Sequence, residues 1–454
     1  MKRDIVELEI ESLDLDAQGI AHRGGKVVFV EGALPGERVR AEIVKVKSSF
    51  EKAQVVEVLQ AAAARTKPVC PSFGTCGGCA MQHLEFSSQV AIKARAVENQ
   101  LWHIGRVKPQ TVLRPLQGPS WEYRHRARLT CRLVPKKGGM LVGFHEKKSS
   151  FVTDMQSCAV LPRHVSQLLS PLRSLLEGLS IAQRVPQIEL SVGHDVTALV
   201  LRHLEPLAPE DEQALRRFAD RHDVQWWLQP AGPGSAWRFY PNDARQLHYR
   251  LPQFDLMMPF HPTDFTQVNH QINQAMVRQA IRLLNLQPHE RVADFFCGLG
   301  NFSLPLARLG NRVVGIEGSA DLTRRAMANA ELNGLAHKVE FHAHNLFEVT
   351  MDDWRRWGPF DAAIVDPPRE GALALCLTLA GMTGKETSEA AQPPLFDFAT
   401  KLPGRIVYVS CNPATLARDA AILVHQAGYR LIAAGAINMF PHTSHVESMA
   451  LFVR

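Results

Sequence analysis

RVADFFCGLGNFSLPLARLG, residues 291 to 310, carries an apolar run into a glycine-bearing turn and then into helix-forming sequence that opens near Phe302. Gly298 and Gly300 let the backbone come close to a ligand, and the helix start offers free N–H groups. The alternation then repeats: NRVVGIEG, VEFHAHN, FDAAIVDPP and RIVYVS are short apolar runs separated by helical sequence. This pattern predicts an α/β, Rossmann-like doubly wound parallel sheet from about residue 260 onward. An amphipathic helix, NHQINQAMVRQAIRLLNL, leads into it.

In such sheets chemistry gathers at the carboxyl ends of the strands. The second strand ends in Glu317, where an acid grips ribose hydroxyls, and the first turn lacks a full GxGxxG. Together these favour a nucleoside cofactor over a dinucleotide. In AAIVDPPREG the strand ends in Asp366, and Pro367 and Pro368 stiffen the exit, either to position a substrate or as a plain turn. In IVYVSCNPATLARD, Ile406 to Val409 reads as a strand, Asn412-Pro413 breaks it, and Cys411 sits at its end. Glu447 precedes an apolar run, Met449 to Val453, that reads as the last strand. A thiol and a carboxylate at two strand ends suit a nucleophile and a proton acceptor. Taken singly, an inert edge thiol and a solvated glutamate are the plainer alternatives.

The chain has 454 residues, so two or three domains are expected, and 46% hydrophobic with 21% charged residues fits a soluble globular protein. No run reaches the length of a spanning helix and MKRDIVELEIESLD lacks a signal-peptide core, so a cytoplasmic protein with no membrane partner is expected. Eight cysteines in such a context argue against a disulfide framework. The net charge of +6 permits a polyanionic partner. Basic residues crowd into 123–139 and 146–148, either as a nucleic-acid surface or as a solvated face. Residues 1 to about 60 read as short alternating strands, either an OB-like barrel or a hairpin packed on the main body. PVCPSFGTCGGCAMQH brings Cys70, Cys76 and Cys79 together in a C-x5-C-x2-C pattern, with Cys158 available as a distant fourth thiol. Zinc and an iron–sulfur cluster both fit that spacing. FSSQVAIKARAVENQLWHI, between these segments, reads as a helix capped by Ser87 or Ser88.

DFFCGLGNFSL, VDPPREG, VYVSCNPATLARD and PHTSHVESMALF together resemble the RNA uracil-C5 methyltransferases, which make 5-methyluridine with S-adenosyl-L-methionine. The resemblance implies that Cys411 adds to C6 of the uracil and that Glu447 removes the C5 proton. It places cofactor contacts on Gln267, Phe296, Asn301, Glu317, Asn345 and Asp366. It reads the cysteine loop as a [4Fe-4S] site held by Cys70, Cys76, Cys79 and Cys158. It makes the first sixty residues a TRAM domain. Barrel, cysteine loop and methyltransferase in this order resemble the subgroup that modifies uridine 1939 (usual numbering) of 23S rRNA, because relatives acting on tRNA generally lack the first two. The organisation expected is 1–62 TRAM barrel, 63–260 mixed α+β central domain with the cysteine loop and basic stretch, and 261–454 catalytic domain, acting as a monomer.

One departure stands out. Residues 372 to 405 make a longer spacer than usual before the IVYVSC strand, and 380–403 reads as a polar, proline-rich surface loop. Two rival classes are a non-catalytic RNA-binding assembly factor and an iron–sulfur redox protein. An intact Cys411 and Glu447 argue against the first, and the lack of a second electron-partner site argues against the second.

Overall fold

The apolar runs after residue 290 form one sheet: β1 (Arg291–Phe295), β2 (Arg312–Glu317), β3 (Val339–Ala343), β4 (Ala362–Val365), β5 (Arg405–Ser410), β6 (Arg430–Ile437) and β7 (Glu447–Val453). The structure is a computed structural model that describes residues 4–242, 245–382 and 402–454. The spatial order is β3-β2-β1-β4-β5-β7-β6, and the short strand Thr111–Val112 extends it beyond β6. All pairs from β3 through β5 are parallel, whereas β7 runs antiparallel between β5 and β6. The chain therefore switches direction of progression beside β1, which opens a crevice at the strand ends. β4 is buried along its whole length and β5 at every residue but its first. Such strands read as continuous apolar runs because helices cover both faces of the sheet.

One face packs Phe295, Trp354, Phe360 and Tyr408, and the other packs Ile272, Met276, Val292 and Val407. The predicted lead-in helix is α2 (His270–Leu284), capped by Asn269, and the helix after Cys411 is α3 (Pro413–His425). α1 (Phe86–His103), expected in the central unit, packs instead on the catalytic sheet. Its Val97 and Leu101 share a core with Leu416, Ala417 and Ala420 of α3. Its cap is Glu85, whose carboxylate accepts the Ser88 N–H at 3.0 Å, and not either serine.

The first sixty residues form a six-stranded mixed sheet around Leu8, Val28, Val30 and Val39. A second six-stranded sheet, residues 126–240, packs on helices from 163 to 222. Lys147 and Lys148 of the predicted basic run reach Glu31 of the first sheet at 3.3 and 2.6 Å, so they clip the two units together. Part of the long spacer is helix, Leu373–Leu379, with Leu375, Cys376 and Leu379 buried. The surface-loop reading falls mostly on residues 383–401, outside the described residues. Among the described residues no helix is long and apolar enough to cross a membrane.

Candidate active site

The final pair between β5 and β7 is Ser410 with Ser448. Cys411 directly follows Ser410 and Glu447 directly precedes Ser448, so the thiol and the carboxylate sit at adjacent strand ends, near enough for Glu447 to act on the thiol. β7 begins at Glu447 itself, paired with Ile437, so the glutamate is buried strand and not a solvated lead-in. The Ser448 hydroxyl closes the pair by donating to the Ser410 carbonyl at 3.2 Å.

Burial pushes the Glu447 carboxyl up to about 8; the nearby Asp366 adds to the rise and the Arg369 guanidinium opposes it. The Cys411 thiol is pushed up to about 11, first by burial and then by Glu447 and Asp366, again against Arg369. Asp366, also desolvated, is held at about 7. Three acidic groups thus crowd one crevice, and each resists ionising beside the others. A carboxyl near 8 suits a group that must take up and give back a proton at neutral pH. Cys297, the other thiol of this region, lies buried beneath the first turn, and burial with Asp294 and Glu317 holds it well above the ordinary thiol range.

Residues downstream of Cys411 brace the loop that carries Arg369. Asn412 Nδ2 and Thr415 Oγ1 both donate to the Arg369 carbonyl at 3.2 Å. Arg418 donates to the Glu370 carbonyl at 2.9 Å. Asp419 accepts the Ala372 N–H at 2.7 Å and the Tyr408 hydroxyl at 2.6 Å. Gly371 sits at φ +78°, and a Cβ there would come within 2.7 Å of Arg418 and Asp419. The motif after the cysteine is therefore a brace as well as a helix start.

Of the six expected cofactor contacts, Glu317 is set as the sequence suggests. Its Oε2 accepts the Gly298 N–H and its Oε1 the Ser319 N–H, both at 3.1 Å. These two bonds fix the carboxylate at the end of β2. Gly298 has φ +54°, and a Cβ on it would meet open space, which is room for a ligand against the turn. Phe296, also at positive φ, packs its ring edge-on to Phe347 at 5.9 Å. Phe347 is 49% exposed beside this turn, and no periodic pattern in the chain singles it out. Asn345, exposed, accepts the Phe347 N–H at 3.1 Å, and Gln267 is half-buried ahead of α2. Asn301 is bonded within the protein. Its amide pairs with Asn273 in both directions at 2.9 Å and accepts from the Tyr249 hydroxyl at 3.0 Å, so its side chain is already engaged. The acid at the end of β2 and the open glycine turn are chemically suited to an S-adenosyl cofactor.

The four expected cluster cysteines line one cavity together with Arg124 and His445. None is in a disulfide. Burial pushes Cys79 to about 12 and Cys158 to about 11, so these thiols are neutral as they stand. Among the described residues no group of three or more His, Cys, Asp or Glu side chains is arranged to hold a metal ion. A single tetrahedral zinc would draw its sulfurs to about 3.8 Å from one another. Of the basic stretch, Arg126 and Arg128 lie against Glu189 at 3.9 and 2.9 Å, while Arg132 and Lys136 are exposed.

Residues 1–56 match the TRAM domain family, and residues 248–374 match the family described as tRNA (Uracil-5-)-methyltransferase. A Cupriavidus necator protein named 23S rRNA (uracil(1939)-C(5))-methyltransferase RlmD is 58% identical over 98% of this chain and 100% of its own length. The protein of that name from Burkholderia ambifaria is 59% identical over 98% of this chain and 95% of its own. Among solved structures, the Pyrococcus abyssi tRNA (uracil-54, C5)-methyltransferase in complex with S-adenosyl-L-homocysteine superposes with a TM-score of 0.73 at 24% identity, covering 99% of this chain and 100% of that one. That likeness, which concerns the fold alone, extends through the N-terminal sheet, so the overall architecture does not by itself separate rRNA from tRNA enzymes. With relatives this similar over its length, the chain belongs to the RNA uracil-C5 methyltransferase family, alongside the proteins named RlmD.

Proposed function

We propose that this chain methylates C5 of uridine 1939 (usual numbering) of 23S rRNA, using S-adenosyl-L-methionine and a transient bond between Cys411 and C6 of the uracil. The observation that carries the reading is the cross-strand placement of Cys411 and Glu447 beside Asp366 and Arg369. C5 of uracil is a poor nucleophile, and covalent addition splits one hard transfer into easier steps. Cys411, as thiolate, bonds to C6, and the C5–C6 π pair moves toward C5 and the C4 carbonyl oxygen. The cofactor, when bound, supplies an electrophilic methyl group on a sulfonium. C5 takes that methyl as its bond to sulfur breaks. Glu447 then takes the C5 proton, the double bond re-forms, and the C6–S bond breaks to return the thiolate. Arg369 lowers the cost of negative charge on both groups.

Glu317 would hold the cofactor's ribose, Phe296 and Asn345 its base, and Gln267, Asp366 and the Asn301 backbone its remaining polar groups. Cys70, Cys76, Cys79 and Cys158 would hold a [4Fe-4S] cluster, a reading supported by the one cavity that all four thiols line. The chain divides into a TRAM barrel at 1–62, a central domain within 63–260 and a catalytic domain at 261–454 to which α1 and the strand Thr111–Val112 are added, acts as a monomer in the cytoplasm, and meets RNA through exposed residues such as Arg132 and Lys136. Equal iron and acid-labile sulfide in protein prepared without air supports the cluster, and stoichiometric zinc replaces it.

A tRNA substrate is the second reading, favoured by the family description for residues 248–374. The high identity to proteins named for 23S rRNA favours the first. Methyl transfer from labelled cofactor to unmodified 23S rRNA and to tRNA, with the product mapped, decides between them. Transfer to neither overturns the enzyme reading.

A further inference from the structure

The hairpin loop between β6 and β7, residues 438–446, leads directly into Glu447, and its backbone is bonded to remote segments. Four consecutive carbonyls are each taken by a different part of the chain. Met439 O accepts from Asn269 Nδ2 at 3.3 Å, at the cap of α2. Phe440 O accepts from Lys93 Nζ of α1 at 2.8 Å, and the same ammonium donates to Asn438 Oδ1 at 2.9 Å. Pro441 O accepts from the Tyr123 hydroxyl at 2.8 Å. His442 O accepts the N–H groups of Ala80 and Met81, directly after Cys79, at 2.8 and 2.9 Å.

The His442 backbone sits at φ +64°, a conformation that needs outside support for a side chain of this size. Gln89 of α1 supplies it. Its Oε1 accepts the His442 N–H at 2.9 Å and its Nε2 donates to His442 Nδ1 at 3.1 Å. The same amide nitrogen lies 3.1 and 2.8 Å from the carbonyls of Met81 and Leu84, so its two hydrogens are shared among three acceptors. Trp121 stacks on the His442 ring at a centroid separation of 3.8 Å. Gln89 is fully buried and Lys93 nearly so. A hairpin turn at a surface satisfies its carbonyls with water; this one is locked by segments outside its own sheet.

We propose that Gln89, Lys93 and Tyr123 are positioning residues for the proton-abstraction step, holding the 439–442 strut so that Glu447 meets C5, with the cysteine loop supplying the same strut through Ala80 and Met81. The proposal rests on Glu447 being the base, as assigned above. Misplacement of a reacting group by about an ångström costs on the order of a hundredfold in rate. Loosening one hold should therefore slow turnover about tenfold or more while leaving Cys411 addition intact.

The test compares the full chain with Tyr123→Phe, Lys93→Met and Gln89→Leu. Three readouts are taken: turnover on unmodified 23S rRNA, the fraction of denaturant-resistant protein–RNA adduct, and the rate of adduct formation on 5-fluorouridine RNA. The last carries fluorine where the base would find a proton, so its trapping does not use Glu447. The expected result is slower turnover, a larger adduct fraction on normal RNA, and fluorouridine trapping within about twofold of the native chain. Tyr123→Phe removes one hydroxyl and keeps the ring, so it reads the strut even if the buried variants do not fold. Unchanged turnover in Tyr123→Phe, or turnover and fluorouridine trapping falling together, overturns the proposal. A native chain that forms no adduct on either RNA instead overturns the reaction assigned above.

Discussion

Two loops reach the crevice, and they are held in opposite ways. The Asp366–Gly371 loop is braced by the helix that follows the nucleophile: Asn412, Thr415, Arg418 and Asp419 all lie within nine residues of Cys411. The 438–446 hairpin is held from far away, with Lys93 reaching across 345 residues to Asn438 and Gln89 across 353 to His442. Local bracing ties the arginine loop to the cysteine as one unit. Distant bracing makes the position of Glu447 depend on α1, the basic strand lead-in and the cysteine loop together. The arginine loop is braced chiefly by one helix, with Arg369 also reaching His445 of the hairpin at 3.1 Å, whereas the base's surroundings report on the assembly of several remote segments.

The strongest way to break this contrast is at Asp419, which is fully buried and serves three partners. Asp419→Ala should cost about 2–4 kcal/mol, because it leaves the buried Tyr408 hydroxyl without its acceptor and the Ala372 N–H with only its 3.0 Å bond to that hydroxyl. Chemical unfolding checks the stability, and fluorouridine trapping should fall with it, since the Arg369 loop faces Cys411. The distant side breaks through the cysteines. Cys79→Ser should slow turnover on normal RNA more than it slows fluorouridine trapping, the reverse of Asp419→Ala.

The pH dependence sharpens the contrast. Burial holds Glu447 near 8, above its ordinary range, so its protonated form favours the folded state. That stability is fully present below the ordinary carboxylate range and is lost as pH rises through about 8, while the ionised base becomes more abundant. Turnover should therefore climb across pH 6–8 as the melting temperature falls, and Glu447→Gln should flatten the melting trend. A melting temperature that rises over that window in the native chain contradicts the assignment. The smallest effect is expected at the clip between the first two units. Glu31→Gln frees Lys147 and Lys148 and should change stability by less than about 1 kcal/mol. It should also steepen the salt dependence of RNA binding, because two more cations can meet phosphates.

The same contrast explains what the sequence made legible. The catalytic sheet showed in runs such as AAIV and IVYVS because strands covered on both faces are continuously apolar. Cys411, Glu317 and Asp366 showed because strand ends are marked by turn residues. Glu447 was found, but its burial was not, since pairing with Ile437 is a register fact that no local pattern encodes. The membership of α1 in the catalytic core was missed for the same reason: its amphipathic spacing says that a face is buried but not against what. Likewise only the fold shows that the Asn301 amide bonds Asn273 and Tyr249.

The central claim is that Cys411 attacks and Glu447 completes the reaction. Its most direct test incubates the Glu447→Gln chain with unmodified 23S rRNA and labelled S-adenosyl-L-methionine, followed by denaturing electrophoresis and mass mapping of the linked peptide. The account predicts a methyl-labelled RNA adduct on Cys411 that accumulates instead of turning over, and no adduct in Cys411→Ala. Free turnover by Glu447→Gln at the native rate, or an adduct that persists in Cys411→Ala, would contradict it.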